Sequence, residues 1–110
     1  MEIKEGDVWL VNFPLEENPT EFLSRPAIVI NVEVLEVLSV KITKTEPRDE
    51  DQYDTPIVYW QEANLRFKST ARISKTMYIN KSQFIHRIGT LHEDDFTEVQ
   101  KLFIEFINNQ

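Results

Sequence analysis

Two segments constrain the fold most: Gly6-Asp-Val-Trp-Leu-Val-Asn-Phe-Pro14 and, ten residues on, Arg25-Pro-Ala-Ile-Val-Ile30. Each reads as a β-strand rich in β-branched and aromatic residues. Pro14 ends the first because it has no N–H to give a ladder, and Pro26 suits the first position of the second. Arg25 precedes that proline, so its backbone is held extended. A cation fixed at the mouth of a small barrel suits an anionic ligand. An ion pair with Glu16, Glu17 or Glu21 would account for Arg25 equally well.

Further strands are expected at Pro26–Val32, Val37–Thr43, Pro56–Trp60, Thr70–Ser74 and Thr76–Ile79, after a first one at Val8–Phe13. The short Glu33–Glu36 link makes the second and third a hairpin. Thr45–Asp54 is an acidic loop, too polar to pack. From Glu93 to Ile107, apolar residues recur at Phe96, Val99, Leu102, Phe103, Phe106 and Ile107, the spacing of one helix face. Glu93, Asp94 and Asp95 suit the positive end of its dipole. Thr90 with Glu93 has capping-box spacing, and His92 is the other possible cap. Gly89, one of two glycines, is expected in a conformation other residues resist. Short strands followed by a helix give a mainly β (α+β) chain, a small barrel or sandwich.

At 110 residues the chain reads as a single domain, 1–110, large enough for its own core. No run of apolar residues is long enough to span a membrane. Met-Glu-Ile-Lys-Glu-Gly-Asp at the amino terminus lacks the apolar stretch of a signal peptide. With no cysteine, disulfides and thiolate metal sites are excluded. A cytoplasmic protein is expected. Two histidines and scattered acids make a metal site unexpected, and no cofactor motif is visible.

A net charge of −7 argues against wholesale nucleic-acid binding, but its distribution does not. No acid occurs from Ala63 through His92, a window holding Arg66, Lys68, Arg72, Lys75, Lys81 and Arg87. A basic stripe on an acidic body can hold a polyanion locally, or it can be solvated surface. Phe22, Phe67 and Tyr53, in expected loops, could stack on bases. Trp9, Phe13, Tyr59 and Trp60, on expected strands, read as core.

The chain resembles the PemK/MazF toxins of bacterial toxin–antitoxin pairs. The resemblance rests on the two opening segments, Ile42-Thr43, Ala63-Asn-Leu65, Ser69-Thr-Ala-Arg72 and Ile88-Gly-Thr-Leu91. It implies an SH3-like barrel of about six to seven short strands with a C-terminal helix, and a homodimer. It also implies metal-independent, sequence-selective cleavage of single-stranded RNA through 2′-hydroxyl attack, and inhibition by the disordered tail of a cognate antitoxin. By the same resemblance Arg25 would stabilise the phosphorane and Thr43 would orient a phosphate oxygen or the attacking hydroxyl. The family's Arg-x-Asp pair is met only by Arg72, since Ser74 replaces the acid. With no histidine between Glu16 and Ser24, Glu21 is the acid nearest the place of a general base. Lys44, Arg48, Lys68, Ser69, Arg72, Phe22 and Phe67 complete the expected RNA surface. His86 and His92 lie outside the matched motifs. Two other classes share this architecture: a catalytically impaired SH3-like binding module, and a gyrase-directed toxin like CcdB. The latter's Trp-Gly-Ile tail has no counterpart in Ile107-Asn-Asn-Gln110.

Overall fold

The computed structural model describes residues 2–110. Six strands and one helix follow in the order β1 (Asp7–Pro14), β2 (Phe22–Val32), β3 (Glu36–Thr43), β4 (Asp54–Ile57), β5 (Ser69–Asn80), β6 (Phe84–Thr90) and α1 (Glu93–Asn108). They form one antiparallel sheet, ordered β4-β5-β3-β2-β1-β6. The mainly β architecture with a terminal helix is the one expected. Among the described residues, no helix is long and apolar enough to cross a membrane.

Alternation along the strands builds two cores. Val8, Ile28, Val40, Ile42, Ala71 and Ile73 pack toward α1, which adds Val99, Phe96, Leu102, Phe103 and Phe106. Trp9, Val11, Phe13, Ala27, Val29, Val37, Ile79 and Phe84 fill the other side. Period-two alternation with both faces covered explains the continuous apolar runs Val8–Val11 and Ala27–Ile30. Burying one valine such as Val99 stabilises the fold by about 1.5–3 kcal/mol. Ile107, expected on the same stripe, is 48% exposed.

Several boundaries differ from expectation for physical reasons. Pro26 lies inside β2, which begins at Phe22. The proline is tolerated because β3 starts pairing with β2 only at Ala27, so β1 alone flanks it. The expected strands Thr70–Ser74 and Thr76–Ile79 are one long strand, with Lys75 continuing the backbone between them. β4 stops at Ile57, and Tyr59 and Trp60 sit in turns after it. β6 was not foreseen, because Ile85-His-Arg-Ile88 alternates too weakly to announce a strand. It is reached through a short 3₁₀ turn, Lys81–Gln83, in which the Asn80 side chain accepts from the Ser82 N–H.

The helix is capped by His92, not Thr90: its Nδ1 accepts the Asp94 N–H at 3.0 Å. Thr90 remains on β6. The left-handed glycine is Gly6 (φ +87°) rather than Gly89. Gly89 is required for closeness instead, since a Cβ there would stand 2.5 Å from the Ala63 carbonyl oxygen.

The acidic loop is mostly exposed, as expected, but Arg48, Asp51, Tyr53 and Asp54 pack. Asp54 is almost fully enclosed, accepting from the Arg48 backbone at 3.0 Å and from its Nε at 2.8 Å. Tyr53 meets Phe106 edge-on at 5.2 Å. Two carboxylates that would repel each other are thereby organised around one guanidinium, because Asp51 joins Arg48 at 2.9 Å.

Candidate active site

The β2–β3 ladder sets the centre of the site. Ala27 pairs with Lys41. Arg25 lies two residues before Ala27, and Thr43 lies two residues after Lys41. Alternate residues share a face, so the antiparallel register brings Arg25 and Thr43 to the same level, on the face that also carries Lys41. Both line a groove of about 980 Å³ at the open end of the sheet.

The opposite wall is the segment after β4, and three contacts fix it. Asp95 of α1, 6% exposed, accepts the N–H groups of Val58 and Tyr59 at 3.0 and 2.9 Å. Asn64, in the left-handed region at φ 65°, donates its side-chain amide to the Ile88 carbonyl at 3.0 Å. Gly89 lets β6 approach Ala63. Asn64, Arg66, Phe67 and Ser69 then reach the groove from this side, and His86 and Arg87 reach it from β6.

The electrostatics are one-sided. Arg25, Lys44, Arg66 and Arg87 line the groove, and no carboxylate does among the described residues. Arg25 donates Nη1 to the Ser24 carbonyl at 2.9 Å and forms no ion pair among them. Glu16, one of its possible partners, holds Lys75 at 2.6 Å instead. Arg87 alone of the four is neutralised, by buried Asp7 at 3.2 Å. That same Asp7 takes the Lys4 N–H and the Trp9 indole N–H, which gives the Gly-Asp-Val-Trp run a structural role.

The expected site residues divide into two groups. Arg25, Thr43, Lys44, Ser69 and Phe67 come together in the groove. Lys44 Nζ sits 4.8 Å from the centre of the Phe67 ring, so a cation and an exposed stacking surface act as one unit. Thr43 Oγ1 contacts both the N–H and the hydroxyl of Thr45 at 3.3 Å. Ser69, largely buried, donates to the Phe67 carbonyl at 2.6 Å. Glu21, Phe22, Arg48, Lys68 and Arg72 do not line this groove. Glu21, Phe22 and Lys68 are exposed elsewhere.

Arg48 and Arg72 line a second recess of about 350 Å³, with Lys41 and Lys75. Lys41 pairs with Arg72 across β3 and β5. Burial first, then the charges of Arg72 and Arg25, push the Lys41 ammonium below the usual lysine range. Arg72 Nε is buried without a hydrogen bond, 3.9 Å from Asp54. Burial would raise the Asp54 carboxyl, but hydrogen bonds from the Arg48 side chain and backbone together outweigh it and hold the group below the usual carboxylate range. The basic stripe is therefore divided: Arg66 and Arg87 line the groove, Arg72 and Lys75 the second recess, and Lys68 and Lys81 neither.

Arg66, Arg87, Asn64 and His86 were not singled out as site residues by sequence. Arg66 and Arg87 belong to the acid-free window, which was the available signal. The place of His86 depends on β6, whose pairing with β1 sets His86 beside Leu10. Among the described residues, no three side chains able to ligate a metal lie together.

Solved structures share this architecture. An endoribonuclease from a mycobacterial species superposes with a TM-score of 0.72 at 10% identity, over 96% of this chain and 91% of that one. The Mycobacterium tuberculosis toxin MazF-mt6 gives 0.69 at 16% identity, over 93% and 96%. An endoribonuclease in complex with its cognate antitoxin, also mycobacterial, gives 0.68 at 8% identity, over 96% and 93%. Curated proteins offer no significant sequence match. The family model of the PemK-like, MazF-like toxins of type II toxin–antitoxin systems matches residues 4–107. With nearly the whole chain matched and the fold shared, this protein belongs to the PemK-like, MazF-like toxin family.

Proposed function

We propose that this toxin is a metal-independent endoribonuclease acting on single-stranded RNA. The observation that carries the reading is the groove: Arg25 and Thr43 at one level on adjacent strands, among unneutralised cations and without a lining carboxylate. The ribose 2′-hydroxyl attacks the neighbouring phosphorus, and the 5′-oxygen leaves. Charge builds on the non-bridging oxygens, where a guanidinium gives two parallel hydrogen bonds. Arg25 supplies these, and Thr43 orients a phosphate oxygen. Lys44 and Arg66 hold flanking phosphates, while Phe67 offers a face for a base. A chain of net charge −7 binds RNA only where its cations are gathered.

The fold shared with endoribonucleases, one of them in complex with its cognate antitoxin, supports the same reading and an antitoxin partner for this chain. A disordered antitoxin tail would compete with RNA for the groove. Phe22, Leu23 and Phe67 are large, apolar and exposed, which supports pairing of two copies around an extended RNA surface. The test is incubation of the purified protein with single-stranded RNA in excess EDTA. Fragments ending in a cyclic or 3′-phosphate, opposite a free 5′-hydroxyl, are expected. Cleavage that vanishes in EDTA and returns with magnesium would overturn the mechanism.

A further inference from the structure

The 2′-hydroxyl is a poor nucleophile until something takes its proton, and the groove restricts what that can be. Its titratable lining consists of Arg25, Lys44, Arg66, Arg87 and His86. Three guanidinium groups and an ammonium stay protonated near neutrality and have no lone pair to offer. Glu21, the acid considered from sequence, does not line the groove. His86 does, it is exposed, and imidazole is the side chain that ordinarily changes protonation between pH 5 and 8.

The local geometry also sets its tautomer. His86 Nδ1 lies 3.2 Å from the Arg87 carbonyl oxygen. A carbonyl only accepts, so Nδ1 carries the hydrogen, and in the neutral ring Nε2 keeps its lone pair. β6 holds the residue on a rigid element, at the ladder position of Leu10 on β1. Leu10 itself lines the groove and brings no charge. The charged groups that line the same groove are Arg25 from β2, Lys44 from the end of β3, Arg66 from the opposite wall and Arg87 on the same strand. None of them is an acid that could take the proton in place of His86.

We propose that His86 is the general base of the cleavage reaction, a role that rests on the nuclease reading above. Neutral His86 Nε2 takes the 2′-hydroxyl proton as the O2′–P bond forms and the P–O5′ bond breaks. Arg25 offsets charge on the non-bridging oxygens, and the departing 5′-oxygen is protonated by solvent water. The products are a 2′,3′-cyclic phosphate and a 5′-hydroxyl. The imidazolium then returns its proton to solvent, so the enzyme is unchanged.

The test compares wild type, His86→Ala, His86→Asn and Arg25→Ala on a long, mixed-sequence single-stranded RNA in EDTA, under single-turnover conditions from acid to mildly alkaline pH. The wild-type rate rises with pH and then levels off. His86→Ala and His86→Asn lose about a hundredfold or more and lose that rising limb, while RNA affinity and melting temperature stay as in wild type. Added imidazole restores part of the His86→Ala rate, and it restores none of the Arg25→Ala rate. Wild-type cleavage with an unchanged rate and rising limb in His86→Asn overturns the His86 assignment and leaves the nuclease reading standing. A loss confined to RNA affinity makes His86 a binding residue and overturns the assignment too. No cleavage by any form, wild type included, overturns both.

Discussion

Asp95 holds the segment after β4 by its two carboxylate oxygens, one on the Val58 N–H at 3.0 Å and one on the Tyr59 N–H at 2.9 Å. The first turn of α1 is thus tied to the chain that becomes the groove wall. The dipole favours an acid there, but the bond to a distant backbone is what this acid does. Asp95→Ala leaves two donors without a partner. It should cost about 2–3 kcal/mol of stability, read by urea unfolding. Cleavage should fall as well, because Arg66 and Phe67 lose their footing. A variant as stable as wild type would show that water replaces the carboxylate.

Arg25→Ala should slow cleavage by about a hundredfold or more, roughly 3 kcal/mol of transition-state stabilisation. Arg25→Lys should recover little, since a point charge cannot form the two-pronged contact. Thr43→Val keeps the shape and removes the hydroxyl, and should slow cleavage less. Equal rates in Arg25→Ala and wild type would remove Arg25 from the chemistry.

Salt dependence separates the groove from the rest of the basic stripe. Removing one phosphate contact lowers the slope of log affinity against log salt by about 0.7 for single strands. Arg66→Ala and Lys44→Ala should each show this change. Lys68→Ala, on exposed surface outside the groove, should not. Equal slopes for all three would show that RNA takes another path.

Asp54 should make the protein sensitive to acid. Its carboxyl titrates below the usual range in the folded state, so its contribution is complete above the unfolded-state value. It declines as pH falls through that value and is gone below the folded-state one. Asp54→Asn should therefore cost about 2 kcal/mol at neutral pH, and the gap to wild type should close in strong acid. Urea unfolding at neutral and acid pH measures both, and a gap that persists unchanged in acid would reject the ion-pair explanation.

Gly89→Ala tests closeness rather than backbone freedom. A methyl group would meet the Ala63 carbonyl oxygen at 2.5 Å, and neither backbone can yield cheaply. A loss of about 1–3 kcal/mol is expected by thermal unfolding. Gly6→Ala destabilises for the other reason, its positive φ. A neutral Gly89→Ala would mean that β6 can shift away from the turn.

Much of the fold was legible in the sequence because local signals were strong. Pro14 stops β1, the Glu33–Glu36 link yields the expected hairpin pairing, and the Phe96–Val99–Leu102 spacing yields α1. Non-local features were not legible. β6 was hidden because its pairing with β1, far away in the chain, and not its own pattern makes it a strand. Arg48 is expected on the RNA surface because nothing in Glu46–Asp54 reveals that the loop folds around it. The groove was half legible: Arg25 and Thr43 sit in recognisable segments, whereas Arg66 and His86 arrive through Asn64, Gly89 and the β6 pairing.

The β2–β3 register has a consequence for how such a protein can vary. The Arg25 backbone is held by β1 opposite Val11, and the Thr43 backbone by β5 opposite Thr70, so strands rather than the loops Leu15–Glu21 and Lys44–Tyr53 place both backbones. Beyond Thr45, which contacts the Thr43 hydroxyl, those loops can lengthen, shorten or change charge without moving either strand backbone. Under the proposed nuclease reading, a lineage could therefore vary these loops while the relative placement of Arg25 and Thr43 is inherited intact.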